Sequence, residues 1–296
     1  MRSPALNARG PVGWMVGMGR LSGGPHRGAT EIQAELQWAT AAIDQGRPDD
    51  AERLARSVLA RIPQHSAALH LLGCALLLQG HPRQAIAPLE RAVRANQDPA
   101  IETQLAIALR QTGRTDDALV RLQRATKRRP AYPAAFHELG FLLFSLHRID
   151  EAIAVIGQGL EIAPRMPELS VLLGGIYHAR RDRAKAKAAY AHALAVAPGH
   201  AGAHYGMGVV LFDDGEFSLA AEHLERSLAG NPGDAQADLK LAACLLELGR
   251  SDDALRRLRA VTRSEPRLYG VALKVISSSS RGRFWLRPSS AAKCLA

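Results

Sequence analysis

The sequence predicts an all-α chain built from antiparallel helix pairs stacked side by side. Three observations carry this. A period of 34 residues runs from about Ile32 to Leu268, with one unit a residue short. Two places in every unit hold only glycine or alanine. The apolar stock is 47% of the chain while aromatics are only 5%. Such an aliphatic mixture suits close helix contacts better than a pleated sheet, where β-branched and aromatic side chains fit. Self-similarity at this period marks an array in which each unit buries its apolar face against the next.

The units read as 32–65, 66–98, 99–132, 133–166, 167–200, 201–234 and 235–268. The eighth place holds Ala39, Gly73, Ala106, Gly140, Gly174, Gly208 and Ala242. The twentieth holds Ala51, Ala85, Ala118, Ala152, Ala186, Ala220 and Ala254. Where two helices cross closely there is room for a hydrogen or a methyl group and nothing larger. A large apolar residue precedes the first of these places: Trp38, Leu72, Leu105, Leu139, Leu173, Met207 and Leu241. It is expected to fill the groove of an adjacent helix.

Turn chemistry separates the two helices of a unit. Gly46, Gly80, Gly113, Gly215 and Gly249 stand where a left-handed residue ends the first helix. His147 and Arg181 occupy that place in two units, so those turns are expected to differ slightly. Asp49, Asp116, Asp150 and Asp252 fall near the start of the second helix, where a carboxylate can accept unpaired amide hydrogens. Pro63, Pro130, Pro164, Pro198, Pro232 and Pro266 close six units, because proline cannot continue a helix. In the short unit Gln97 takes that place and Pro99 follows.

This pattern resembles the tetratricopeptide repeat family. Its motif is a Leu-Gly pair followed by Tyr, Ala, an aromatic, Ala and Pro. The fifth unit matches it best, with Leu173, Gly174, Tyr177, Ala186, Tyr190, Ala193 and Pro198. The resemblance covers about 80% of the chain. It implies an α-solenoid of about seven helix-turn-helix repeats forming a right-handed superhelix. In that family the first helices line a concave groove that holds partner proteins. Carried over place by place, the partner-binding groove would include His70, Cys74, Leu77, Ile107, Arg110, His137, Phe141, Phe144, Val171, His178, Tyr205, Val209 and Phe212. Aromatic anchors in a concavity suit a peptide or a helix. The carboxylate grip of chaperone co-factors does not fit, because the matching places are largely apolar. With only Asn7, Asn96 and Asn231, the asparagine ladder of the sugar-transferase superhelix does not fit either.

The net charge of +10 resides in the ends. Residues 1–30 contribute +4 through Arg2, Arg9, Arg20 and Arg27, and residues 269–296 contribute +5. Taking both from +10 leaves +1 for residues 31–268. The head, 1–30, is rich in Gly, Pro and Arg without periodicity and is expected to be disordered. Within it Pro11–Gly19 (PVGWMVGMG) is too short and too glycine-broken for a secretory signal. After Leu268 a capping helix is expected, with Val271, Val275 and Ile276 covering the last pair. A basic aromatic tail follows, in which Phe284 and Trp285 either complete the cap or dock a partner.

No phosphate-binding loop, nucleophile elbow or HExxH occurs, so the chain is read as no enzyme, with no cofactor and no small-molecule substrate. His200 and His204 are expected to be surface histidines, and His70, His137 and His178 lie on three different units, so no metal is expected. Cys74, Cys244 and Cys294 are too scattered for a disulfide framework. They fit a reducing, cytoplasmic setting, and the excess of arginine over lysine fits a bacterial genome. No apolar run reaches the ~20 residues of a membrane span. The leading expectation is a scaffold or adaptor that binds another protein. The alternatives are an anionic-surface or nucleic-acid binder acting through the basic termini, which the near-neutral repeats argue against, and a non-catalytic repeat subunit of a bacterial transferase system.

Overall fold

The computed structural model describes residues 25–278, with side chains from residue 29 onward. Within these residues the chain is helical throughout, without a strand. The helix pairs are α1 (Pro25–Asp44) with α2 (Pro48–Arg61), α3 (Ser66–Leu78) with α4 (Pro82–Ala95), and α5 (Pro99–Gln111) with α6 (Thr115–Lys127). Next come α7 (Pro133–Ser145) with α8 (Ile149–Ile162), and α9 (Pro167–Ala179) with α10 (Arg183–Val196). The last pairs are α11 (Ala201–Asp213) with α12 (Phe217–Gly230), and α13 (Ala235–Glu247) with α14 (Ser251–Ser264). A 3-10 turn at Pro266–Leu268 leads into α15 (Tyr269–Ser278). Helix α1 begins at Pro25, so the last six residues of the head expected to be disordered are helical. Residues 1–24 and the tail with Phe284 and Trp285 lie outside the described residues.

Local chemistry starts and stops these helices. Proline occupies the first turn of α2, α4, α5, α7 and α9, where its missing N–H costs nothing. The aspartates read as caps do not cap. Asp49, Asp116, Asp150 and Asp252 are the second residues of their helices, and the residues ahead of those helices are Arg47, Arg114, Arg148 and Arg250. Each arginine instead reaches the acid three residues on, as in Arg148 to Glu151 at 2.6 Å and Arg114 to Asp117 at 2.7 Å. Asp49 and Asp150 accept hydrogen bonds from the following unit, from Gln79 at 2.8 Å and Arg180 at 2.7 Å. True side-chain caps occur at Asp98, Asp182 and Asp234, and at the imidazoles of His65 and His200.

The two turns expected to differ do not. His147 has φ 59° and Arg181 φ 62°, close to Gly46 at 66° and Gly80 at 76°. A side chain in this left-handed conformation costs roughly 1–2 kcal/mol, partly offset by the unfolded-state entropy that glycine adds. His147→Gly is therefore expected to raise stability by about 0.5–1 kcal/mol, measurable as a higher urea midpoint.

All fourteen small residues are buried. A large side chain from the second helix drops onto the small place of the first. A Cβ added at Gly73 would lie 2.4 Å from Leu89, one at Gly140 2.5 Å from Ile156, and one at Gly208 2.8 Å from Leu224. Unit 5 uses a tyrosine here. The ring of Tyr190, on α10, lies against Gly174 of its own unit and against Gly206 of the next.

Stacking is asymmetric. Each second helix packs on the first helix of the following unit, and successive first helices also touch one another. Between successive second helices no two Cα atoms come within 8 Å. The side lined by first helices is therefore the shorter, concave side. At the far end α15 lies on α13 and α14, with Ala272 and Ile276 buried; Val271, expected to face inward, is exposed. At the near end Trp38 is 63% exposed rather than filling a groove. The equivalent Leu72, Leu105, Leu139, Met207 and Leu241 are buried and Leu173 is half-buried, and no unit precedes α1 among the described residues.

Candidate functional site

The predicted groove residues fall in one row on each first helix. On α3 these are His70, Cys74 and Leu77, all half-buried. The Nε2 atom of His70 is buried without a hydrogen-bond partner, and burial lowers the imidazole pKa despite the nearby Asp98. Burial likewise pushes the Cys74 thiol up to about 12, so it stays protonated and unreactive.

Helices α5 and α7 make one joined cluster. The Arg110 guanidinium lies 5.0 Å from the centre of the Phe141 ring. It also reaches Glu138 at 3.4 Å, and His137 meets the same carboxylate at 3.4 Å. Burial alone would raise the Glu138 pKa, but His137 and Arg110 outweigh it and hold the group below its ordinary value. Phe141, 38% exposed, is the most open of the predicted groove residues, while Ile107 and Phe144 are half-buried beside it.

Beyond α9, which presents Val171, the small Gly175 and His178, a second cluster forms on α11 and α13. His178 meets Asp213 at 2.8 Å. Phe212 stacks edge-on against Phe217 at 5.4 Å, and Lys240 places its ammonium 4.6 Å from the Phe212 ring centre. Tyr205 and Val209 are half-buried in the same stretch, and burial raises the Tyr205 pKa. Two aromatic platforms, each topped by a cation from a neighbouring unit, thus flank a glycine-floored middle. Glu138, Asp213 and Lys240 were not read from the sequence. They lie one place beside the carried-over row, and only the stacking of units brings them onto it.

Of the two histidines expected at the surface, His200 is half-buried and His204 is enclosed. His204 is 4% exposed. Its Nε2 lies 2.8 Å from the Pro198 carbonyl, which can only accept, so Nε2 carries the hydrogen. Its Nδ1 is then the acceptor facing His223 Nδ1 at 2.9 Å, and His223 must donate. His200 serves as the cap of α11. Burial, then His204 and Arg226, lower the His223 pKa against a smaller opposing pull from Glu222. A depressed folded-state pKa gives stability that is present above the ordinary histidine value of ~6.5 and is lost as pH falls through the folded value. Urea melts are therefore expected to show falling stability from pH 7.5 to 5.5, with His223→Gln flattening that dependence.

Among the described residues no three His, Cys, Asp or Glu side chains converge as metal ligands. None of the described helices is long and apolar enough to cross a membrane.

Comparison with known proteins gives the following. Tetratricopeptide repeat signatures match residues 42–107, 109–176 and 211–274, and a second signature of that description matches 171–235. No curated protein matches the sequence. Among solved structures, the anaphase-promoting complex hetero-tetramer Cut9–Hcn1 aligns with a TM-score of 0.70 at 15% identity, over 82% of this chain. This chain spans about half of that one, 48%. PilF of Pseudomonas aeruginosa aligns at 0.60 and 18% identity, over 70% of this chain and 94% of PilF. A repeat protein of Parabacteroides merdae aligns at 0.61 and 15% identity, over 83% and 98%. At these identities the likeness is one of fold.

Proposed function

As the chain belongs to the tetratricopeptide repeat family, whose arrays are protein-interaction scaffolds, we propose that its concave face holds a peptide or a single helix of another protein. The observation that supports this reading is the pair of platforms Arg110–Phe141 and Phe212–Lys240 on adjoining first helices, with Phe141 open to solvent. An aromatic ring standing free in a concavity is an anchor awaiting an apolar group. Lys240 beside the Phe212 ring suits a carboxylate next to that group, while Arg110 already meets Glu138. The partner is therefore a segment that mixes apolar and acidic residues, bound without chemistry.

The test is capture from native lysate, identified by mass spectrometry, with a Phe141→Ala/Phe212→Ala double variant as control. Once a partner is in hand, Phe141→Ala is expected to weaken it about tenfold or more, the effect of losing a central anchor. Equal capture by the wild type and by a fully helical double variant would remove the groove from the reading.

A further inference from the structure

The near-neutral sum of the repeats, +1 over residues 31–268, hides an uneven distribution. Residues 119–137 carry five cations, Arg121, Arg124, Lys127, Arg128 and Arg129, and no acid. On α6, Val120, Arg124 and Lys127 follow one another at intervals of four and three, so they share one stripe. The stripe lies opposite the buried Ala118, Leu122 and Ala125, and all three of its residues are exposed. The preceding unit repeats it. On α4, Ala87, Arg91 and Arg94 hold the same three places of the 34-residue period, opposite the buried Ala85, Leu89 and Ala92. Only these two units carry a cation at both of the last two places; unit 133–166 has Gln158 and Glu161 there. The segments that follow the two helices, Asn96–Pro99 and Arg129–Tyr132, line one recess of about 330 Å³, so both stripes end on a common edge.

Most other cations of the array have partners. Arg114, Arg148 and Arg250 meet carboxylates of their own helices, and Arg180 and Lys187 meet carboxylates of other units. Among the described residues Arg91, Arg94, Arg124 and Lys127 meet none. Arg91 reaches the Pro63 carbonyl, which leaves its charge unmatched. The helix ends do not demand these cations, because α8 closes without a basic residue in its last turn. Like charges gathered without counter-charge repel one another until an anion joins them.

We propose that the twin stripe on the outer side of α4 and α6 is a docking surface for an acidic segment of a partner protein, laid across the two units. Arginine forks take carboxylates in pairs, and clusters of them read acidic motifs. Val120, 46% exposed one turn before Arg124, offers an apolar contact to a side chain of that segment. Neither stripe carries an aromatic ring on which a nucleic-acid base could stack. The surface lies on second helices, apart from the groove, and stands whether or not the groove reading does.

The test is fluorescence anisotropy of a fluorescein-labelled peptide of repeating Glu-Glu-Val, titrated with the full chain at low salt. A labelled DNA duplex and vesicles of phosphatidylserine and phosphatidylcholine are run beside it. Lys127→Glu is expected to weaken the peptide about fivefold, and Arg94→Glu with Lys127→Glu about twentyfold. Lys127→Gln, which removes the attraction without adding repulsion, is expected to fall between wild type and Lys127→Glu. Arg263→Glu makes the same charge change at the same place of unit 235–268, also exposed, and is expected to change nothing. The Phe141→Ala/Phe212→Ala variant is expected to hold the peptide as the wild type does. No binding by the wild type, or equal losses in Lys127→Glu and Arg263→Glu, overturn the proposal. A loss in the Phe141→Ala/Phe212→Ala variant also overturns it, and seats the peptide in the groove. Duplex or vesicle binding that falls with Lys127→Glu while peptide binding does not overturns it as well, and assigns the stripes to phosphate.

Discussion

Gly206→Ala is expected to destabilise the chain by about 2–3 kcal/mol, a large loss for one methyl group. A Cβ at Gly206 would lie 2.2 Å from the Tyr190 ring. That ring has little room to retreat, because it also lies against Gly174, where an added Cβ would sit 2.7 Å away. Tyr190 is only 5% exposed, a wedge between two first helices. The units on either side place Ile156 and Leu224 at its position. Tyr190→Leu should therefore rescue Gly206→Ala, and the two changes should be strongly non-additive in urea melts. Additive losses would mean that the methyl group clashes with something other than the ring.

The second large effect contrasts two neighbours on α7. Leu142→Ala is expected to cost about 2–5 kcal/mol, because its side chain is fully enclosed and truncation leaves a cavity. Phe141→Ala, one residue earlier and about 100° round the helix, is expected to change stability by less than about 1 kcal/mol. Thermal melts of the two variants decide the matter. A loss at Phe141 comparable to that at Leu142 would make the ring structural and take the central anchor from the groove.

The array was legible because its physics repeats. A small residue where helices cross is required seven times over, so chance cannot imitate it. Gly206 was not legible, because it answers to the size of one ring in one unit. Trp38 was misread for a related reason. Its place demands burial only when a unit precedes it. His204 looked like a loop-side residue by spacing, yet its two ring nitrogens find a carbonyl and a second imidazole once α11 and α12 are paired. The left-handed turns at His147 and Arg181 show that geometry imposed by six neighbouring units overrides the local preference for glycine. The groove row could be carried over by position, but the carboxylates and the lysine that set its electrostatics come from inter-unit contacts, which a single repeat does not contain.

Because first helices touch along one side while second helices stay apart along the other, the molecule has the mechanics of a spring hinged along its inner seam. Pulling it straight draws together backs that stand apart and so meets no packed side chains there. Coiling it tighter compresses the side chains already packed along the inner side. Its softest motion is therefore a change of curvature, so a cargo too bulky for the resting coil can be met by partial unwinding instead of by rupture.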